Sequence, residues 1–158
     1  MEETAMERIK NMIGQEFYRI EEYPIEKGKI REFSMAIMED NPIFYDEQAA
    51  KDAGFRSIPV SLTYSQTLSF WNRNKPPLKI LGLDRRYVLH GGQEYEYYKP
   101  IVAGDRLTAV CKLEDVYEKV GSRGGKMLFV ALKTEFFDQQ SCLVLSYKQI
   151  LIQTKMAP

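Results

Sequence analysis

Residues 38–55, MEDNPIFYDEQAAKDAGF, gather the side chains best suited to acid–base chemistry. Glu39 and Asp40 stand beside an Asn41-Pro42 corner, followed by the aromatic pair Phe44 and Tyr45 and a short alanine-rich stretch that stops at Gly54. A carboxylate in such a turn can move a proton if a group of matched affinity faces it. The only histidine of the chain, His90, lies far along the sequence at the head of a strand-like segment. Such a position suits a structural or solvent-facing side chain, and also one that faces a pocket. The composition of the loop therefore poses a question: does it carry out chemistry, or does it hold a site whose chemistry comes from elsewhere?

Several other chemistries are excluded by spacing. A lone histidine without a cluster of ligands around it does not make a metal site, so we expect no metal and no cofactor. The stretch GSRGGK (residues 121–126) is one residue short of a phosphate-binding loop and has Met127 where Ser or Thr is required, so it reads as a β-turn. No nucleophile elbow is present for a Ser-His-Asp arrangement. Cys111 and Cys142 are isolated in alternating, strand-like stretches and are expected to be buried, reduced thiols. Tyr95, Tyr97 and Tyr98 form an aromatic cluster suited to packing and to an interface. They are not expected to stack on bases, because no basic groove accompanies them.

The 158 residues carry 22 Lys+Arg against 22 Asp+Glu, a net charge of zero that argues against a nucleic-acid partner. With 44% hydrophobic and 28% charged residues, the composition is that of an ordinary globular chain. No apolar run is long enough to span a membrane, and the first ten residues have no signal-peptide character. The expectation is one soluble, cytoplasmic domain over residues 1–158.

The elements that must position the loop follow from periodicity. A helix is predicted over Thr4–Met12, ending near Gly14, then a strand over Glu16–Tyr23. A second helix over Lys29–Met38 has Ile30, Phe33, Ile37 and Met38 at helical spacing, and Pro42 bounds the segment that follows it. A short helix over 46–52 is capped by Asp46 and closed by Gly54. Residues Pro59–Asn72 read as an apolar helix with Leu62, Ser65, Leu68 and Ser69 on one face, and its Leu62, Leu68, Phe70 and Trp71 are expected to be buried against strands. Four strands complete the chain, over 90–100, 106–120, 126–137 and 142–154. Helices followed by consecutive long strands give an α+β domain in which an antiparallel sheet curls around the apolar helix.

Three stretches together carry a resemblance: EDNPIFYDEQAAKDAGF with IPVSLTYS, then LHGGQEYEYYKPIVAGDRL, then RGGKMLFVALKTEFFDQQSCLVL. In this order and spacing they resemble MaoC-like dehydratases, and more narrowly the FAS1-like dehydratase group. That group contains the non-catalytic subunit of a heterodimeric (3R)-hydroxyacyl-ACP dehydratase. The resemblance implies a hot-dog fold, a homodimer or a heterodimer with a catalytic hot-dog chain, and an acyl thioester ligand on CoA or acyl carrier protein. Catalytic members share the motif Asp, any residue, Asn-Pro, an aliphatic residue, His. Its Asp and His hold the water that adds to, or leaves from, the β-carbon of an enoyl thioester. Anchored on Asn41-Pro42-Ile43, Glu39 falls at the aspartate and Phe44 at the histidine; one step later Asp40 pairs with Tyr45, again without an imidazole.

Phenylalanine has no titratable proton, so this loop cannot form the usual dyad. The leading expectation is a substrate-binding subunit of a (3R)-hydroxyacyl thioester dehydratase or hydratase, with Asn41, Pro42, Phe44 and Tyr45 on the substrate side. Under the alternatives the chain is a self-sufficient acyl-CoA hydratase or thioesterase that uses Glu39, Asp40 or His90, or a non-enzymatic acyl-thioester-binding module.

Overall fold

In the computed structural model, residues 4–71, 77–121 and 125–154 are described. Helix α1 (Ala5–Lys10) is capped by Thr4, whose hydroxyl accepts from the Glu7 amide while the Glu7 carboxylate reaches back to the cap. Strand β1 (Glu16–Pro24) leads into α2 (Lys27–Ala36) and, past the loop, α3 (Glu47–Asp52). After a 3-10 helix (Tyr64–Phe70) and α4 (Pro77–Leu81) come β2 (Val88–Tyr97), β3 (Arg106–Val120), β4 (Lys126–Phe137) and β5 (Leu143–Gln153). They form one antiparallel five-stranded sheet in the order β1-β3-β4-β5-β2.

The strands form where side chains alternate. Leu107, Ala109, Cys111 and Leu113 of β3 are all buried on one face, as their spacing predicts. A bulge between Leu113 and Asp115 then shifts the register, so that Val116 is the next buried residue. On the buried face, Phe136 packs against Tyr23 and Tyr147 at ring separations of 6.5 and 5.8 Å. Helix α2 closes over this layer with buried Ile30, and Phe33 meets Tyr64 edge-on at 5.6 Å.

The segment across the sheet differs from the expected helix over Pro59–Asn72. Residues 58–60 are extended and pair with 101–103, through a Pro59–Val102 bridge and hydrogen bonds from Val60 N–H to the Ile101 carbonyl (3.0 Å) and from Ala103 N–H to the Ile58 carbonyl (2.8 Å). Only Tyr64–Phe70 is helical, and as a 3-10 helix; the expected end at Asn72 lies outside the described residues. The tighter winding leaves a narrower buried stripe. Tyr64, Ser65 and Leu68 are buried, but Leu62, Ser69, Phe70 and Trp71 are exposed. The centre of the expected GSRGGK turn also lies outside the described residues.

Cys142 is a second correction: Cys111 is buried, but Cys142 is exposed. The turn after β4 runs one residue further than expected. Asp138 accepts from the amides of Gln140 and Cys142, so the strand begins only at Leu143. Among the described residues no helix is long and apolar enough to cross a membrane.

Leu68 is 1% exposed and Leu62 72% exposed, although the sequence pattern places them on one face. Urea unfolding should show Leu68→Ala destabilised by about 2–5 kcal/mol and Leu62→Ala changed by no more than about 0.5 kcal/mol. Equal losses would mean that the segment is packed differently.

Candidate functional site

The loop after α2 is built from its own hydrogen bonds. Met38 adopts a left-handed conformation (φ 57°), which reverses the chain at the helix end, and the Glu39 amide returns to the Ser34 carbonyl at 2.9 Å. The Glu39 carboxylate then accepts from Asn41 N–H at 3.0 Å, and the Asn41 side chain accepts from Ile43 N–H at 3.2 Å. With Pro42 at its first position, this cap starts the single 3-10 turn Pro42–Phe44. Tyr45 turns back on the loop, its hydroxyl donating to the Glu39 carbonyl and its ring lying under the Arg31 guanidinium. Asp46 caps α3 through the Ala49 amide at 2.7 Å, as expected. The Glu47 carboxyl is held below the usual carboxylate range by Lys27 first and then by the Ser57 hydroxyl.

The turn points Phe44 and Ile43 into an apolar groove of about 400 Å³, whose other walls include Phe55, Val60, Tyr97 and Ile101. The 58–60/101–103 pairing supplies Val60 and Ile101. Edge strand β2 supplies Tyr97, whose hydroxyl donates to the Leu62 carbonyl at 2.7 Å and whose burial pushes the phenol up. At Phe55, Lys99 and Pro100 the groove opens into a more polar one of about 530 Å³. There Arg56 pairs with Asp105 and Lys99 with Asp138. Asp105 is buried, and its other oxygen accepts from Val102 N–H at 2.9 Å, so it ties both sides of the site together.

The residues singled out in the sequence separate on this geometry. Phe44 lines the groove; Asn41 and Pro42 build the turn that presents it; Tyr45 packs against Arg31, away from the groove walls. Glu39 is half-buried and engaged by the turn, and Asp40 is exposed. His90 is exposed on β2, with Nε2 and Gln93 Oε1 3.0 Å apart. Among the described residues no hydrogen bond or ion pair joins His90 to Glu39 or Asp40, and no group of three His, Cys, Asp or Glu side chains converges. Val60, Phe55 and Ile101 were not singled out. They read as ordinary core residues, and only the pairing of segments distant in sequence makes them groove walls. Its sequence context suits Tyr97 to packing and to an interface, and its place on a strand close to Pro100 is the one hint of its position.

The model of the FAS1-like dehydratase domain region matches residues 11–146. The chain belongs to this family. A UPF0336 protein of Saccharopolyspora erythraea is 35% identical over 116 residues, covering 72% of this chain and 73% of the relative. The FAS1-like dehydratase chain also resembles solved structures. One is the C-terminally truncated HadBC (3R-hydroxyacyl-ACP dehydratase) complex of Mycobacterium tuberculosis, with a TM-score of 0.73 at 23% identity over 89% of this chain and 96% of that one. Another is the ChsH1-ChsH2 complex of the same organism, with a TM-score of 0.74 at 21% identity over 98% and 91%. These likenesses show the fold, an α+β hot-dog.

The loop geometry makes Asn41 the member whose loss unravels the turn. Asn41→Ala should cost about 1 kcal/mol by removing the cap. Glu39→Gln keeps an acceptor for Asn41 N–H and should stay within about 0.5 kcal/mol of the parent. Urea unfolding of the two variants checks the order, and a larger loss for Glu39→Gln would contradict it.

Proposed function

We propose that this chain is the substrate-binding subunit of a (3R)-hydroxyacyl thioester dehydratase or hydratase, and that a second hot-dog chain brings the acid–base pair. The observation that carries this reading is Phe44: at the position where the family resemblance implies the catalytic histidine, an apolar ring stands in the wall of an apolar groove. An acyl group fits such a wall, because burying it against Phe44, Val60 and Ile101 gains hydrophobic free energy without leaving a polar group unpaired. The adjoining groove, with Arg56 and Lys99 at its edge, suits the polar arm that carries an acyl thioester, on CoA or on acyl carrier protein.

The acids of the loop support the same division of labour. One oxygen of the Glu39 carboxylate accepts from Asn41 N–H in its own loop, and no imidazole faces the other. His90 lies on an exposed strand with Gln93 as its partner. Two of the similar solved structures, HadBC and ChsH1-ChsH2, are themselves complexes. A homodimer of the chain expressed alone, and a heterodimer where a catalytic hot-dog chain is present, are the assemblies this reading favours.

Calorimetry with crotonyl-CoA tests the groove as the acyl site. The parent chain should bind it, and Phe44→Asp should weaken binding at least about tenfold, or about 1.4 kcal/mol, by placing a carboxylate among apolar walls. Unchanged affinity in Phe44→Asp would remove the groove from the account.

A further inference from the structure

We infer that the free edge of β2 selects its partner by charge: Glu94 and Glu96 weaken pairing with a second copy of this chain and favour a hot-dog chain whose pairing strand carries lysine or arginine. For the nature of that partner this rests on the two-chain reading above. The sheet has two edges, β1 and β2. Strand β1 is unsuited to pairing. Its register against β3 is interrupted between Glu16 and Tyr18 and again between Ile20 and Tyr23, Glu22 is left-handed (φ 56°), and the strand ends at Pro24. Strand β2 has one interruption, between His90 and Gly92, and from Gly92 to Tyr97 its register against β5 is unbroken. The backbone N–H and C=O groups on its far side therefore form a regular row that an incoming strand can pair with.

The side chains along this row decide what can pair with it. Tyr95 and Tyr97 pack towards the core, so Glu94 and Glu96 stand on the opposite face of the sheet. They are the only acidic or basic side chains of Val88–Tyr97, and both are exposed. The acids occupy the middle of the row, between Leu89 and Tyr98, which are 57% and 47% exposed. Neither acid has an ion-pair partner among the described residues. Lys148 lies opposite Glu94, but its ammonium is on Glu114 at 2.8 Å, and Ser146 lies opposite Glu96. Lys133, the other cation beside them, holds Glu135 at 3.3 Å. The shallow groove that they line sets three carboxylates, Glu94, Glu96 and Glu114, against two ammonium groups, Lys133 and Lys148.

A second copy adding to this edge runs antiparallel to it about a two-fold axis. Wherever that axis falls between Gln93 and Tyr97, an acid of one strand stands directly or diagonally across from an acid of the other, with Cβ atoms about 4.5–8 Å apart. Like charges so placed oppose the pairing. Lysine or arginine at the facing positions of a different hot-dog chain turns the same contacts into attractions. The backbone row supplies affinity for either partner, and the two acids supply the difference between them. The self-pair is thus the weaker assembly and the mixed pair the stronger.

A charge swap within the chain itself tests this without any ligand. The Glu94→Lys/Glu96→Lys chain presents a basic edge on an otherwise identical hot-dog, and because both positions are exposed the fold should hold, as circular dichroism checks. In sedimentation equilibrium, an equimolar mixture of parent and swapped chains should dimerise at least about tenfold more tightly than either chain alone. Raising salt from about 50 to about 500 mM should weaken the mixed dimer and tighten the parent's self-association. Hydrogen exchange should slow at residues 92–97 in the mixed dimer and stay unchanged along β1. Glu94→Gln/Glu96→Gln, which removes the charge without reversing it, should self-associate more tightly than the parent. A mixture no tighter than the parent alone, protection on β1 in place of β2, or a Gln chain no tighter than the parent would overturn the inference. If the swapped chain does not fold, the Gln chain decides. Failure of crotonyl-CoA to bind would remove the acyl reading and leave the charge selection standing, so the two fail separately.

Discussion

Residues 58–60 run antiparallel to 101–103, joined by the Val60–Ile101 and Ala103–Ile58 hydrogen bonds, and the site depends on that junction. It fixes where the chain leaves the loop region and crosses the sheet, and it supplies one wall of the apolar groove from each of its strands. The buried Asp105 holds it from behind, accepting from Val102 N–H and pairing with Arg56 on the opposite side. A buried carboxylate is stable only when its oxygens are engaged. Here they are engaged by the two segments that must stay together, so the requirement becomes a clamp. Gly104, with φ at +95°, makes the turn that brings Asp105 back under this junction.

With that frame in place, the loop at 39–46 is best understood as a presenting device. Glu39, Asn41 and Tyr45 direct their polar atoms inward to the loop backbone, and the turn they make leaves Phe44 facing the groove. A catalytic loop must instead keep an acid or base free, aimed at the substrate and supported by neighbours that set its proton affinity. Replacing an imidazole by a phenyl ring at such a position removes the proton relay and improves the apolar wall. Under the proposed function, the same loop geometry then serves binding.

Much of this was legible in the sequence, for identifiable reasons. Strands β3 and β4 have the predicted limits because turn residues bound them and alternation runs along much of each, interrupted in β3 by the bulge after Leu113. The Asp46 cap and Gly54 mark α3 because both signals are local. That no imidazole stands where the resemblance implies the dyad histidine could be read from one residue, Phe44. The expected helix starts too early because Leu62, Ser65 and Leu68 satisfy helical spacing, while the pairing of Pro59 with Val102 straightens the first part of the segment. That pairing joins segments distant in sequence, and no local pattern announces it. The groove walls Val60 and Ile101 were hidden for the same reason, and Cys142 was taken for a strand residue because the Asp138 turn reaches one residue further than its composition shows.

The central claim is that the chain holds the acyl group and lacks the means to transform it. Hydration of crotonyl-CoA by the purified chain, followed by loss of the enoyl-thioester absorbance, tests this most directly. The account predicts no turnover above the uncatalysed rate for the chain alone, and turnover once a hot-dog chain with an intact Asp-x-Asn-Pro-x-His loop is added. Turnover by the chain alone, abolished by His90→Ala or Glu39→Gln, would contradict it.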